Sequence, residues 1–368
     1  MRERERSNPA ATAEPPRVLI AGGGTGGHAI PALCVASSLR SMGATVHFVG
    51  SRSGIEATLV PNANFPLHPL NLTSFAGNPL ARARAAALFL KAIHACRRII
   101  HRFGPGAVLG VGGYASAPAV VAARTLGVPT LLHEQNSVPG RVNRAAGRIS
   151  HETLVTFPRA ADYLQGAETV GMPTRAEFFG ASREEALRGL GLEPPVVLIF
   201  GGSGGAFKLN LAAVEAFRGG TPYTVVQVAG RRDFGRLSTE NPRHVILEYV
   251  DDIWRYLAAA DLVVSRAGAG SLFDIAAVGR AAVLVPFPFA TGDHQLHNAR
   301  YFTERGAAEL MMDAEVTAGS LKRRVEDLLD DQDRRGALAR GMAALATPGA
   351  ADVVARRLMR AAGEESRR

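Results

Sequence analysis

Twice in this chain a short apolar run breaks into glycines and then opens into a helix-forming stretch. Val18-Leu19-Ile20-Ala21 enters Gly22-Gly23-Gly24-Thr25-Gly26-Gly27-His28, and Val196-Val197-Leu198-Ile199-Phe200 enters Gly201-Gly202-Ser203-Gly204-Gly205-Ala206. Such a junction reads as a buried strand, a tight glycine turn and a helix N-terminus. The free amides and positive dipole end of that helix attract anions, phosphate above all. Two copies predict an α/β protein with two Rossmann-like domains, each a parallel sheet flanked by helices. A length of 368 residues suits two domains. Ligands in such sheets sit beyond the carboxyl ends of the strands, which places a shared site in the cleft between the domains.

The alternation fills in accordingly. In the first half it predicts a helix over 31–42 and strands at 45–49, 66–70 and Ala107–Gly110. A long helix over Pro79–Phe103 and strands at 129–132 and 153–157 complete that half, before a connection through 168–175. After Val196–Phe200, strands are expected at Thr224–Val228, 245–249, Leu262–Ser265, 282–286 and 308–312. The domain plan is a solvated tail (1–16), an N-terminal domain (17–172), a C-terminal domain (173–348) and a closing segment (349–368). The sequence allows its helix, near 350–362, to cross back onto the first domain before a frayed end.

Hydrophobic residues make up 47% of the chain, enough for substantial cores, and no stretch is apolar for long enough to span a bilayer. A net charge of +9 suits anionic partners. Aromatics are only 6% and no recognition module is visible, so nucleic acid fits poorly. Cys34 and Cys96 stand alone and read as reduced, buried thiols of a cytosolic protein. The basic helix over Pro79–Phe103 interleaves Arg82, Arg84, Lys91, Arg97, Arg98 and Arg102 with leucine and isoleucine. It can lie on anionic lipid or pack on the sheet with different faces.

The candidate site residues sit at strand ends. Gly22, Gly24 and Gly27 satisfy the G-x-G-x-x-G spacing of dinucleotide folds, but the second strand runs into Gly50-Ser51-Arg52 with no acidic residue. An NADP reading through Arg52 therefore stays open. His28 is either a loop-bonding residue or a general base over the cleft. His133-Glu134-Gln135-Asn136 follows an apolar run, and four polar residues there suit a polyhydroxylated ligand. Ser203 offers a hydroxyl for a diphosphate, Ser271 for a phosphate, and Asp274 a carboxylate for ribose. Asp293-His294-Gln295, with Asn298, opens a late helix; no further ligand pair lies at metal-binding spacing, and the acidic run 330–333 reads as a solvated face.

In order along the chain, Gly23-Gly24-Thr25-Gly26-Gly27-His28, Gly112-Gly113-Tyr114, His133-Glu134-Gln135-Asn136 with Ser137-Val138-Pro139-Gly140, Gly201-Gly202-Ser203, Ser265-Arg266-Ala267-Gly268 and Asp293-His294-Gln295 form a specific set. The set resembles the peptidoglycan N-acetylglucosaminyltransferases of glycosyltransferase family 28, which convert lipid I to lipid II. The resemblance implies a GT-B fold and an inverting transferase on the cytoplasmic face of the inner membrane, with no cofactor and no tightly bound metal. Its implied partners are UDP-GlcNAc, lipid I, the anionic membrane surface and other cell-wall synthesis proteins. By position, Thr25, Gly26, Gly27, Asn136, Arg175, Ser203, Ala269, Gly270, Ser271, Asp274 and Gln295 would contact the nucleotide sugar. Gly24, Tyr114, His133 and Glu134 would lie on the acceptor side, and His28 would be the acceptor-activating base. Three positions depart from the usual pattern: Met172 for asparagine, Gly204 for glutamine and Asp274 for glutamate.

Overall fold

The computed structural model describes residues 14–72, 78–202 and 205–365. Its first half runs β1 (Arg17–Ala21), α1 (Gly26–Ser41), β2 (Thr45–Ser51), α2 (Glu56–Asn62), β3 (Leu67–Leu70) and α3 (Pro79–Phe103). It continues with β4 (Ala107–Gly110), α4 (Ser116–Thr125), β5 (Thr130–Glu134), α5 (Arg141–Gly147), β6 (Glu152–Val155) and β7 (Glu168–Thr169). The second half holds α6 (Arg183–Leu190), β8 (Val196–Phe200), α7 (Phe207–Ala216), β9 (Thr224–Val228) and β10 (His244–Leu247). Then come α8 (Ile253–Ala259), β11 (Leu262–Ser265), α9 (Ala269–Val278), β12 (Ala281–Leu284), α10 (His294–Thr303) and β13 (Glu309–Leu310). Three helices close the chain: α11 (Ala318–Asp330), α12 (Gln332–Ala344) and α13 (Ala350–Glu365).

All the strand pairs are parallel, in a seven-stranded sheet ordered β3-β2-β1-β4-β5-β6-β7 and a six-stranded sheet ordered β10-β9-β8-β11-β12-β13. The two orders share one pattern. In each sheet the chain reverses direction of growth beside the strand that ends in a glycine loop, the place where open α/β sheets bind ligands. Central strands such as Val196–Phe200 are buried along their whole length, which explains their unbroken apolar runs.

Several boundaries differ from the sequence expectation. Helix α1 starts at Gly26 rather than near Pro31, because the Thr25 carbonyl accepts the His28 and Ala29 amides and closes the first turn early. Burial of Ala32, Val35, Ala36 and Leu39 holds the helix despite the internal proline. Strand β5 extends through His133 and Glu134, which pair in register with Leu154 and Val155. The connection after β6 contains the two-residue edge strand β7, paired to β6. The expected solvated tail and frayed end lie largely outside the described residues.

Helix α13 packs against α1, β1 and β4 of the first sheet. Its Val354, Ala355, Leu358 and Ala362 join Val18, Ile20 and Leu39 in one buried cluster. Cys34 and Cys96 are buried free thiols, both pushed up to about 12 by burial. Leu358 is fully buried, so Leu358→Ala should cost about 2–5 kcal/mol. Thermal unfolding should show this as a lowered midpoint; an unchanged midpoint would mean that α13 does not stabilise the first domain.

Candidate active site

The facing ends of the two sheets enclose a cleft of about 680 Å³. Helix α1 walls it on one side through Gly26, Ile30, Leu33 and Cys34; Gly202, Tyr249, Ser271 and Asp274 face it from the other. Thr174 and Arg175 of the linker close its floor.

His28 stands in the first turn of α1. Its Nδ1 lies 3.0 Å from Thr25 Oγ1. Its other edge lies over Gly112, where a β-carbon would come within 3.0 Å of the imidazole Nε2. Gly112 also has φ +95°, so space and conformation both call for glycine. Burial pushes His28 down to about 4; the neighbouring His294 adds to this and Glu56 opposes it. The ring is therefore neutral near pH 7 and able to take a proton.

The first glycine loop has already spent much of its anion-binding capacity. Gly22 N–H donates to the Val49 carbonyl at 3.1 Å and Gly23 N–H to the Gly112 carbonyl at 3.3 Å. Gly24 N–H donates to Glu56 Oε2 at 2.7 Å. The anion held by this loop at Gly24 is the protein's own carboxylate, which alters the acceptor-side reading of that residue.

A second set of bonds joins the two halves. Asn298 of α10 is fully buried. Its Oδ1 accepts the Ser137 N–H at 2.8 Å, and its Nδ2 donates to Asn136 Oδ1 at 3.2 Å and to the Ala267 carbonyl at 3.3 Å. Gln295 Oε1 accepts the Ala267 and Phe287 amides, which fixes the orientation of its amide group. Asn136 and Gln295 thus belong to one network, drawn from opposite domains.

Across the cleft, Ala269, Gly270 and Ser271 form the first turn of α9, which carries no acidic residue there. The helix presents its positive end with nothing of its own to neutralise it. Arg175 stacks over Phe178 at 4.8 Å, and its buried Nε has no hydrogen-bond partner among the described residues. Burial raises Asp274 to about 7, with Arg175 holding it partly down. Phe200, Tyr249, Val250 and Ile253 add an apolar wall. Sequence reasoning passed over Tyr249, Val250 and Ile253, although they directly follow β10 and the strand-end rule points to them.

The polar run after β5 serves mainly inward contacts. His133, Glu134 and Gln135 are each buried. His133 Nε2 lies 3.1 Å from the Gly171 carbonyl, and its Nδ1 lies 3.1 Å from Gln135 Nε2. Glu134 accepts the Asn136 N–H and an Asn143 Nδ2–H, each at 2.8 Å. Burial raises its carboxyl while these bonds lower it, and burial dominates. Burial turns His133, Glu134 and Gln135 inward, with most of their polar atoms bonded to neighbours, while Gln135 Oε1 is left without a partner among the described residues. Asn136 is the half-buried member of the run. Tyr114 is half exposed beside Gly113, Thr25 and Gly27 lie at the exposed start of α1, and Ser203 and Gly204 lie outside the described residues.

The glycosyltransferase family 28 N-terminal domain matches residues 18–155 and the corresponding C-terminal domain matches residues 196–356. The chain belongs to glycosyltransferase family 28. A UDP-N-acetylglucosamine–N-acetylmuramyl-(pentapeptide) pyrophosphoryl-undecaprenol N-acetylglucosamine transferase of Rubrobacter xylanophilus is 64% identical over 90% of this chain and 99% of its own length. A Bacillus thuringiensis transferase of the same name is 37% identical over 86% and 91%. The crystal structure of Acinetobacter baumannii MurG superposes with a TM-score of 0.76 at 29% identity, covering 94% of this chain and all of that one. A UDP-N-acetylglucosamine 2-epimerase structure from Listeria monocytogenes, at 14% identity and TM-score 0.66, shares the fold. The fold is therefore GT-B, and family membership removes the dinucleotide alternative. At Met172, where the resemblance leads one to expect asparagine, the linker is bonded through its backbone. Those bonds go to Thr347 Oγ1, while the side chain packs in the second core.

The raised Asp274 carboxyl yields a pH test of a donor-binding role. If its ionised form accepts ribose hydroxyls, protonation below about 7 removes that acceptor. Affinity for UDP-GlcNAc, whose diphosphate stays ionised, should rise about tenfold from pH 6 to pH 8. Calorimetry should find this dependence flattened in Asp274→Asn.

Proposed function

We propose that this chain transfers N-acetylglucosamine from UDP-GlcNAc to the MurNAc 4-hydroxyl of lipid I, giving lipid II in peptidoglycan synthesis. The 64% identity to the Rubrobacter transferase across nearly the whole chain carries the reading, and the chemistry of the cleft supports it.

The acceptor hydroxyl attacks the anomeric carbon on the face opposite UDP. The bond from that carbon to the diphosphate breaks, UDP leaves with the electron pair, and the configuration inverts. His28, neutral and fixed through Thr25, takes the hydroxyl proton. The amides of Ala269–Ser271 and the Arg175 guanidinium stabilise the charge gathering on the leaving diphosphate. Asp274 holds the ribose, and Asn136 and Gln295 meet the sugar from the two domains. The first-turn positions Thr25, Gly26 and Gly27 close over the donor from α1.

Lipid I presents its sugar at a membrane surface, and α3 suits that surface. Ala85, Ala92, Cys96 and Ile100 bury its inner face. Leu80 and Leu90 stand outward among exposed Arg82, Arg84, Lys91, Arg98 and Arg102. No helix among the described residues is long and apolar enough to cross a membrane. The enzyme therefore lies on the anionic surface through this face.

Incubation with labelled UDP-GlcNAc and a lipid I analogue should give the disaccharide product; UDP release without it would overturn the reading. His28→Ala should lower kcat at least about a hundredfold while leaving the Kd for UDP-GlcNAc within about twofold. At about 1 kcal/mol per basic residue, Arg84→Ala with Lys91→Ala should weaken binding to anionic vesicles about thirtyfold. Equal binding of neutral and anionic vesicles would exclude this role for α3.

A further inference from the structure

Glu56 is a carboxylate that the reaction described above does not use. It opens α2, is only 1% exposed, and pairs with no lysine or arginine among the described residues. A buried carboxylate without a counter-ion is costly unless hydrogen bonds replace its water. Here two backbone donors do so: Gly24 N–H reaches Oε2 and Ser51 N–H reaches Oε1, both at 2.7 Å. These are the short lengths of charge-assisted bonds. Gly23, Gly50 and Gly54 surround the group so closely that a β-carbon at any of them would overlap its side chain. The pocket is shaped for this carboxylate.

Its two bonds join the glycine loop after β1 to the end of β2. From Gly24 the loop leads directly to Thr25, whose hydroxyl bonds His28. The charged or titratable groups that act on His28 are Glu56 from α2 and His294 from α10; Gly112 and Thr25 complete its surroundings as neutral contacts. A neutral group could brace the loop, but only an anion also offsets the burial that disfavours the imidazolium formed during transfer.

We propose that Glu56 is a positioning residue for the transfer, pinning the loop that carries His28 and keeping negative charge beside the imidazole as it takes the acceptor proton. The inference rests on the role given to His28.

Glu56→Gln keeps the shape, removes the charge and sets a side-chain N–H against a backbone N–H. Its kcat should fall at least tenfold while the Kd for UDP-GlcNAc, measured by calorimetry, stays within twofold and reports an intact fold. The acid limb of its rate profile should move to lower pH, because the influence that raises His28 proton affinity is gone. Glu56→Asp withdraws the carboxylate but keeps the charge, so its kcat should fall with the acid limb in place. Wild-type kcat in either variant, or an unmoved limb in Glu56→Gln, would overturn the inference. So would a donor Kd that weakens in step with kcat, the mark of general structural damage. Should Glu56→Gln not fold, Glu56→Asp alone decides. Failure of the His28 role itself shows separately, as near-normal turnover in His28→Ala.

Discussion

The cleft depends on how the chain is held where it passes between its halves, and one hydroxyl does most of that holding. Thr347 Oγ1 accepts the Met172 N–H at 3.0 Å and donates to the Met172 carbonyl at 3.2 Å, tying the outward crossing to the return. The Gly171 carbonyl beside it accepts from Thr156 Oγ1 and contacts His133 Nε2. Gly171 allows the contact, since a β-carbon there would press against Thr347. Because backbone groups carry these bonds, the side chain at 172 is free to be apolar. With the crossings fixed, Asn298 needs to add only three bonds to hold Asn136 and the Ala267 loop against each other.

The site built on this frame uses oriented backbone more than side-chain charge. At α9 the positive helix end carries no acidic residue in its first turn to neutralise it. Two groups given roles in the reaction are shifted toward neutrality: burial lowers His28 and raises Asp274. In a site of this kind, preorganised dipoles stabilise charge where a leaving group forms it.

Much of the fold was legible because a parallel sheet buried on both faces leaves unbroken apolar runs, as at Val196–Phe200 and Leu262–Ser265. Element ends were less legible where tertiary bonds decide them. His133 and Glu134 read as loop because they are polar, yet they extend β5 by pairing with Leu154 and Val155, and His133 also meets Gly171, 38 residues on. The glycine loops announced an anion site, but the order of residues could not say that Glu56 occupies the Gly24 amide. Tyr249, Val250 and Ile253 were hidden for a different reason: apolar side chains lining a cleft have the same sequence signature as core.

Helix α13 has a consequence for how the chain is made. Val354, Ala355, Leu358 and Ala362 complete a cluster founded on Val18 and Ile20, near the opposite end of the sequence. While the ribosome is still adding the second domain, the first sheet lacks the helix that covers part of one face. Its apolar surface stays available to chaperones or to misdirected contacts until α13 is made. The second domain faces no such delay, since its two core clusters draw only on residues from Phe157 to Ala346. The domain translated first is thus the one completed last, once α13 has emerged to cover it.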